Sequence, residues 1–278
     1  MIDSTALPNL RMLPTSSLIP HEDYDPQRVE ILAQRIRQED RLKNPPITAA
    51  IPETDRFVIL DGTNRVQAFA ALSIPHIIAQ VVSYGDPGVM LDTWNHVVAG
   101  MDAGEFESAL NQVPGLRLYP SSLEEAREAL VMDQATAYLV KERGVQKICS
   151  MEGCPQRDLR LLNGIVKAYR GRAGIFQASN DRWESQAPYY PDITALVVFP
   201  RLSPSDILTA TREDEKLPYG VTRHIIPNRA LNINIPLSVL AAGWTFRRKK
   251  EWLRQWLMER MASSAIRYYA ESTFSFDD

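Results

Sequence analysis

Three polar clusters break otherwise apolar stretches of this sequence: His21-Glu22, Trp94-Asn95-His96 and Thr222-Arg223-His224. A fourth feature, Asp61-Gly62-Thr63-Asn64-Arg65, passes from a β-type run through a tight turn into a helical pattern. Together they offer carboxylates, imidazoles, a guanidinium and a row of backbone N–H groups at a helix start. That set suits phosphoryl transfer, which needs a hydroxyl nucleophile, a group to take its proton, and cations or N–H donors around the phosphate oxygens. Gly62 permits the backbone angles of the turn, the helix N-terminus attracts an anion, and Arg65 in its first turn could clamp that anion bidentately. Glu22 is the candidate base. Each group also has a plainer reading: Asp61 as a helix cap, Glu22 as a solvated carboxylate, Trp94 and His96 as packing on one face of a strand. Thr222-Arg223-His224 is harder to read as structure alone, because a buried Arg223 needs a partner charge.

The elements that must hold these groups follow from periodicity and punctuation. A first strand is expected near 10–13. Asp25-Pro26 marks a helix start, and Val29, Leu32, Ala33 and Ile36 give that helix one buried face, ending near Asp40 before Asn44-Pro45-Pro46. Short strands at 47–51 and 57–60 flank a hairpin-like loop, a helix covers 63–72, and 76–84 reads as another strand. Further on, 93–98 is strand-like, 104–112 and 121–130 are helical, and 135–140 with 145–150 form a strand pair. Helices at 155–169 and 204–212 enclose a strand at 193–199. A last helix over 246–262 carries Trp252, Leu253 and Trp256 at core spacing. The fold class is α+β: one compact unit of helices and strands over 1–85, and an α/β portion over 86–278.

Composition excludes several classes. With 278 residues, 45% of them hydrophobic, and no run near the ~20 apolar residues of a membrane span, the chain reads as a cytoplasmic globular protein without a signal peptide or membrane partner. A net charge of −3 gives no footprint for nucleic acid, and the local cluster Arg247-Arg248-Lys249-Lys250 reads as the solvated face of the last helix. Cys149 and Cys154 make neither a zinc ligand set nor a disulfide framework, so no structural metal is expected. The glycine-lysine loop of P-loop proteins, the dinucleotide glycine triplet and the catalytic motifs of protein kinases are absent. Gly171-Arg172-Ala173-Gly174 is the nearest approach to a glycine-rich loop.

The run from Leu18 to Tyr84, with His21-Glu22 before a helix, Pro46-Ile47 in a strand and Ile59-Leu60-Asp61-Gly62-Thr63-Asn64-Arg65 before the next helix, resembles the ParB/sulfiredoxin-like superfamily. Members bind nucleotides through a Gly-x-x-Arg turn. Thr93-Trp94-Asn95-His96, Gly220-Val221-Thr222-Arg223-His224, Ile226-Pro227-Asn228-Arg229 and Pro236-Leu237 bring the likeness closest to the free L-serine kinases, including serine kinase-like proteins of siderophore operons. The resemblance implies phosphoryl transfer from ATP or ADP, with Mg²⁺, to free L-serine, giving O-phospho-L-serine. It implies that Glu22 activates the serine hydroxyl and that Gly62, Thr63, Asn64 and Arg65 hold the nucleotide phosphates. Asp61 would position magnesium or the nucleophile, and Trp94, His96, Thr222, Arg223 and His224 would surround the amino acid. Thr63-Asn64 departs from many members, which often carry histidine before the arginine. A sulfiredoxin-type reductase is excluded, since the turn has no cysteine. A ParB-like DNA-binding regulator and an inactive ligand sensor are the alternatives.

Overall fold

The computed structural model describes residues 7–150 and 158–268. The chain begins with β1 (Leu10–Pro14), β2 (Leu18–Pro20), α1 (Pro26–Glu39), β3 (Arg41–Leu42), β4 (Ile47–Ala50), β5 (Phe57–Asp61), α2 (Thr63–Ala71) and β6 (His76–Val82). It continues through β7 (Met90–Thr93), β8 (Asn95–Ala99), α3 (Ala103–Asn111), β9 (Leu116–Ser121), α4 (Leu123–Val131), β10 (Ala137–Lys141), β11 (Gly144–Ser150), α5 (Leu159–Tyr169) and β12 (Gly174–Ala178). The remainder is α6 (Trp183–Gln186), β13 (Ile193–Val198), α7 (Pro204–Arg212), β14 (Thr222–Ile225), β15 (Ile235–Pro236), α8 (Leu237–Ala241) and α9 (Phe246–Ala262). The fold is α+β, with its helices and mostly antiparallel strands grouped in two compact units. No described helix is long and apolar enough to cross a membrane.

The first unit comprises Met1–Ile19, Pro26–Ser83 and Pro227–Asp278, so its sequence is interrupted by most of the second. Its sheet has the order β1-β6-β4-β5-β2, with β4 and β5 an antiparallel hairpin and β6 parallel to β4. β5 is apolar from Phe57 to Leu60, and Val58 and Ile59 are fully buried, as expected of an internal strand covered on both faces. Proline at the first position of α1 costs no hydrogen bond there. Val29, Ala33 and Ile36 form the helix's buried face, while Leu32, expected on that face, is half-buried. The stretch after Pro227 returns to this unit, where β15 pairs with β3 and brings Ile235 opposite Leu42.

The second unit comprises Pro20–Asp25 and Tyr84–Ile226. Its six-stranded sheet runs β12-β8-β13-β10-β11-β9. Alternate residues of its strands enter two cores. Val98, Leu139 and Val197 pack with Phe106, Leu110, Ile165 and Tyr169, whereas Val97, Val140 and Leu196 pack with Ala126. Period-two alternation thus puts α3 and α5 on one face and α4 on the other. A separate ribbon pairs β14 with β7.

Several expectations needed correction. The strand expected over 93–98 divides at Trp94, whose N–H donates to the Val221 carbonyl (2.7 Å) instead of to a sheet neighbour, so Trp94 and His96 do not share a strand face. α4 begins at Leu123 because Ser122 and Glu125 form a capping box there. β9 and β12 were not anticipated. Gly171-Arg172-Ala173-Gly174 is the tight turn leading into β12. In the cluster Arg247-Arg248-Lys249-Lys250, Lys249 is wholly buried, its Nζ donating to the Leu240 carbonyl (2.5 Å) and lying 3.1 Å from His76 Nδ1. Cys154 and the first residues of the helix expected over 155–169 lie outside the described residues; the Cys149 thiol donates to the Gln134 carbonyl (3.5 Å).

Candidate active site

Five of the expected site residues lie in the first unit, at the junction of β5 and α2. The strand ends at Asp61, and Gly62 occupies the helix cap with φ 93°, ψ 26°, a left-handed conformation that glycine adopts without strain. Asp61 is therefore not the cap. Gly62 has no side chain to cap the first N–H groups of α2, which leaves them and the positive end of the helix dipole for a ligand. The turn is crowded: a Cβ on Gly62 would lie 2.7 Å from Arg65 Nη1 and 3.1 Å from Pro46 Cβ.

Arg65 donates to the Pro45 carbonyl (3.2 Å), which folds its guanidinium back over the turn. Burial lowers its pKa below the ordinary arginine value, Asp61 opposes that shift and Arg229 adds to it; an arginine so placed still keeps its charge. Asp61 makes an ion pair with Arg229. Beside Arg65 lies a cleft of about 170 Å³ with an apolar wall of Leu32, Ile36 and Leu42 and a charged rim in which Arg35 pairs with Glu39 beside Arg41 and Lys43. Asn64 Oδ1 is buried and has no hydrogen-bond partner among the described residues.

The remaining expected residues lie in the second unit, and the Gly220–Thr222 segment gathers them. Glu22 accepts three hydrogen bonds, from Gly220 N (3.0 Å), Thr222 N (2.5 Å) and Thr222 Oγ1 (2.5 Å). An ionised carboxylate offers about four acceptor positions, so one lone pair remains to take a proton. Gly220 has φ 73°, the left-handed turn that aims its N–H at the carboxylate. With its single proton given to Glu22, Thr222 Oγ1 accepts from His21 Nε2 at 2.8 Å. Neighbouring backbone is also tied, since Asp23 N donates to the Leu217 carbonyl (2.9 Å), and Arg170 bridges the Asp23 carboxylate (2.6 Å) and the Tyr24 carbonyl (2.7 Å).

His224 stands edge-on to His21, with ring centroids 5.3 Å apart, and its Nε2 lies 2.7 Å from the Tyr84 hydroxyl. Burial raises the pKa of that phenol, which keeps its proton. Arg223 stacks on Trp94, Cζ to ring centroid 4.2 Å, and faces Asp92 across the β14–β7 ribbon at 3.7 Å. The partner charge that Arg223 required is thus a half-exposed aspartate. The cation–π stack fixes the guanidinium plane.

His96 differs from the rest. It is fully buried, with Nδ1 2.8 Å from the Tyr169 hydroxyl and Nε2 3.3 Å from the Gly220 carbonyl. Burial pushes its pKa down to about 4, partly offset by the Gly220 carbonyl. Both nitrogens are committed, so its direct effect is to hold Gly220, the residue whose N–H reaches Glu22. Sequence reasoning missed Tyr84, Asp92 and Gln80, and gave no role to Arg229, although Ile226-Pro227-Asn228-Arg229 was part of the resemblance. Gln80 did leave a signal: it is the one amide in the apolar run of β6.

No protein-family model matches the chain. In sequence it is 22% identical over 266 residues, 96% of each chain, to the ATP-dependent L-serine kinase SbnI of Staphylococcus aureus. In structure it is similar to SbnI with a C-terminal truncation (TM-score 0.73, 21% identity, 91% of this chain and 97% of the other). It is also similar to a free serine kinase in complex with AMP (TM-score 0.73, 18% identity, 84% and 94%). Over nearly its full length in sequence, and in its fold, the chain resembles the free L-serine kinases.

Proposed function

We propose that the protein is a free L-serine kinase that transfers a phosphoryl group from ATP to the serine hydroxyl. The observation that carries this reading is the cluster of Glu22, Gly220 and Thr222, joined across 198 to 200 residues of sequence in a chain similar to ATP-dependent L-serine kinases. Glu22 is the base: held by three donors, it takes the proton of serine Oγ. The oxygen then forms a bond to the terminal phosphorus, and the bond from that phosphorus to the bridging oxygen breaks, yielding O-phospho-L-serine and ADP. Thr222, Arg223 and His224 surround the amino acid and its new phosphate, with Trp94 holding Arg223 in place and His96 holding Gly220. Gly62, Thr63, Asn64 and Arg65 hold the nucleotide phosphates, and the apolar-walled cleft beside Arg65 takes the nucleoside. The cytoplasm, where ATP and free serine occur together, is the setting.

Magnesium fits this arrangement through the nucleotide. Among the described residues no cluster of three or more His, Cys, Asp or Glu could hold a metal by itself, and Mg²⁺ is commonly held by one carboxylate plus substrate phosphates, here Asp61. When bound, the ion would neutralise phosphate charge. Incubation of the purified protein with L-serine, Mg²⁺ and ATP, with ADP in a parallel reaction, and mass spectrometry for phosphoserine tests the proposal. Product with ATP is expected. Product with ADP alone would correct the donor, and product with neither would overturn the reading.

A further inference from the structure

Arg229 has no role in the account above. It lies in a segment of the first unit whose backbone is hung on one side chain: Gln80 Nε2 donates to the Asn228 carbonyl (3.0 Å), and Gln80 Oε1 accepts from Ala230 N (2.8 Å). Gln80 is 3% exposed. A buried amide that uses both ends on the two residues flanking Arg229 fixes where that arginine emerges. Asn228 supports the bend in a left-handed conformation, φ 52°, which asparagine tolerates. The segment is pinned further along as well, where Asn232 N donates to Asn44 Oδ1 (2.8 Å).

The guanidinium emerges at Asp61 and close enough to Arg65 for each to feel the other's charge. Two cations therefore share one carboxylate at the N-terminal end of α2. The local balance stays positive, which together with the helix N-terminus favours an anion at this point. The Arg229–Asp61 pair is the yielding member, because its side chains are 41% and 46% exposed and ion pairs so exposed are weak.

We infer that Arg229 is a second phosphate-binding cation, parked on Asp61 until a nucleotide di- or triphosphate arrives, and that Gln80 is its positioning residue. The inference rests on the proposed nucleotide site and deepens it. On binding, Arg229 turns from Asp61 to the outer phosphates, and the carboxylate is freed for the magnesium that accompanies them. One exchange serves both partners: the arginine finds a stronger anion, and the aspartate is not left facing the phosphates without a cation.

The test is calorimetric titration of the full-length protein with ATP, ADP, AMP and adenosine, with and without Mg²⁺. In Arg229→Gln, ATP and ADP should bind on the order of 10- to 100-fold more weakly, as loss of a charge-assisted contact implies, while adenosine binds as before. Gln80→Met should show a smaller loss of the same kind, and the double variant should be no weaker than Arg229→Gln alone, because Gln80 acts only through Arg229. Asp61→Asn should keep metal-free ADP binding and lose the gain given by Mg²⁺. Unchanged ATP and ADP affinity in Arg229→Gln, or equal weakening of all four ligands including adenosine, would overturn the inference and leave the kinase reading standing. Failure of the unaltered protein to bind any of the nucleotides would overturn both.

Discussion

Glu22 is one glutamate whose carboxylate is aimed by two backbone N–H groups and a hydroxyl, so its replacement by glutamine preserves size while removing the ability to take a proton. Glu22→Gln should reduce kcat about 10²- to 10⁴-fold, the contribution typical of a positioned base, with nucleotide affinity unchanged in an equilibrium titration. Arg65 and Arg223 should separate in the same assays. Arg65→Gln raises the KM for ATP and Arg223→Gln the KM for serine, and equal loss of both in both variants would contradict the division of labour. His96 makes a prediction about pH. Its folded pKa, about 4, lies below the ~6.5 of an unfolded histidine, so the unfolded chain binds more protons between those values. The stability His96 contributes is complete above about pH 6.5 and is lost as pH falls toward 4, by up to about 3 kcal/mol at ~1.4 kcal/mol per unit. His96→Phe, compared with the unaltered protein by denaturant melts across that range, should flatten the dependence.

Elements carry the next prediction. At Gly62 an alanine would meet both a left-handed φ of 93° and an arginine 2.7 Å from its Cβ. The backbone conformation alone costs about 1–2 kcal/mol, so Gly62→Ala should lower the melting temperature and weaken ATP binding together, since the same methyl displaces Arg65. How far such elements could be read from sequence depended on where their determinants lie. α7 matched its expected bounds, 204–212, because Ser203, Pro204 and Asp206 mark the start locally. The β5 to α2 junction was legible for the same reason. Its cap was not, because aspartate and glycine both suit that position; the structure puts Gly62 there and turns Asp61 to Arg229, 168 residues away. β9 and β12 are outer strands of their sheet with largely exposed residues, so they lack the alternation that betrays a strand. Trp94 leaves its strand for the distant Val221 carbonyl, and Lys249 looks like surface until Leu240 and His76 are brought to it. Of the candidate site, the residue types were legible. The contacts that turn Trp94 into the support of Arg223, and His96 into the support of Gly220, were not, since each joins residues more than 120 positions apart.

On the scale of the whole molecule, the first unit depends on sequence from both ends of the chain. Ile233, Ile235, Leu240 and Leu253 are buried, and β15 pairs with β3. A chain ending at Ile226 should therefore be insoluble or should lose the cooperative thermal transition of the first unit, measured by circular dichroism. A truncated chain that melted as sharply and at the same temperature would show that the later segment adds little.

The interrupted first unit also fixes an order of events during synthesis. Its N-terminal part is finished at Ser83, yet the residues that complete it begin at Pro227. At roughly 5–20 residues per second, those early strands emerge from the ribosome and wait ~7–30 s for their partners, while the residues of the other unit are being made. Throughout that interval β6, β1 and β3 lack the partners that α8, α9 and β15 supply, which makes the nascent chain a client for chaperones and a target for aggregation at that stage. Arg229, the group inferred to read the outer phosphates, is among the first residues of the returning segment.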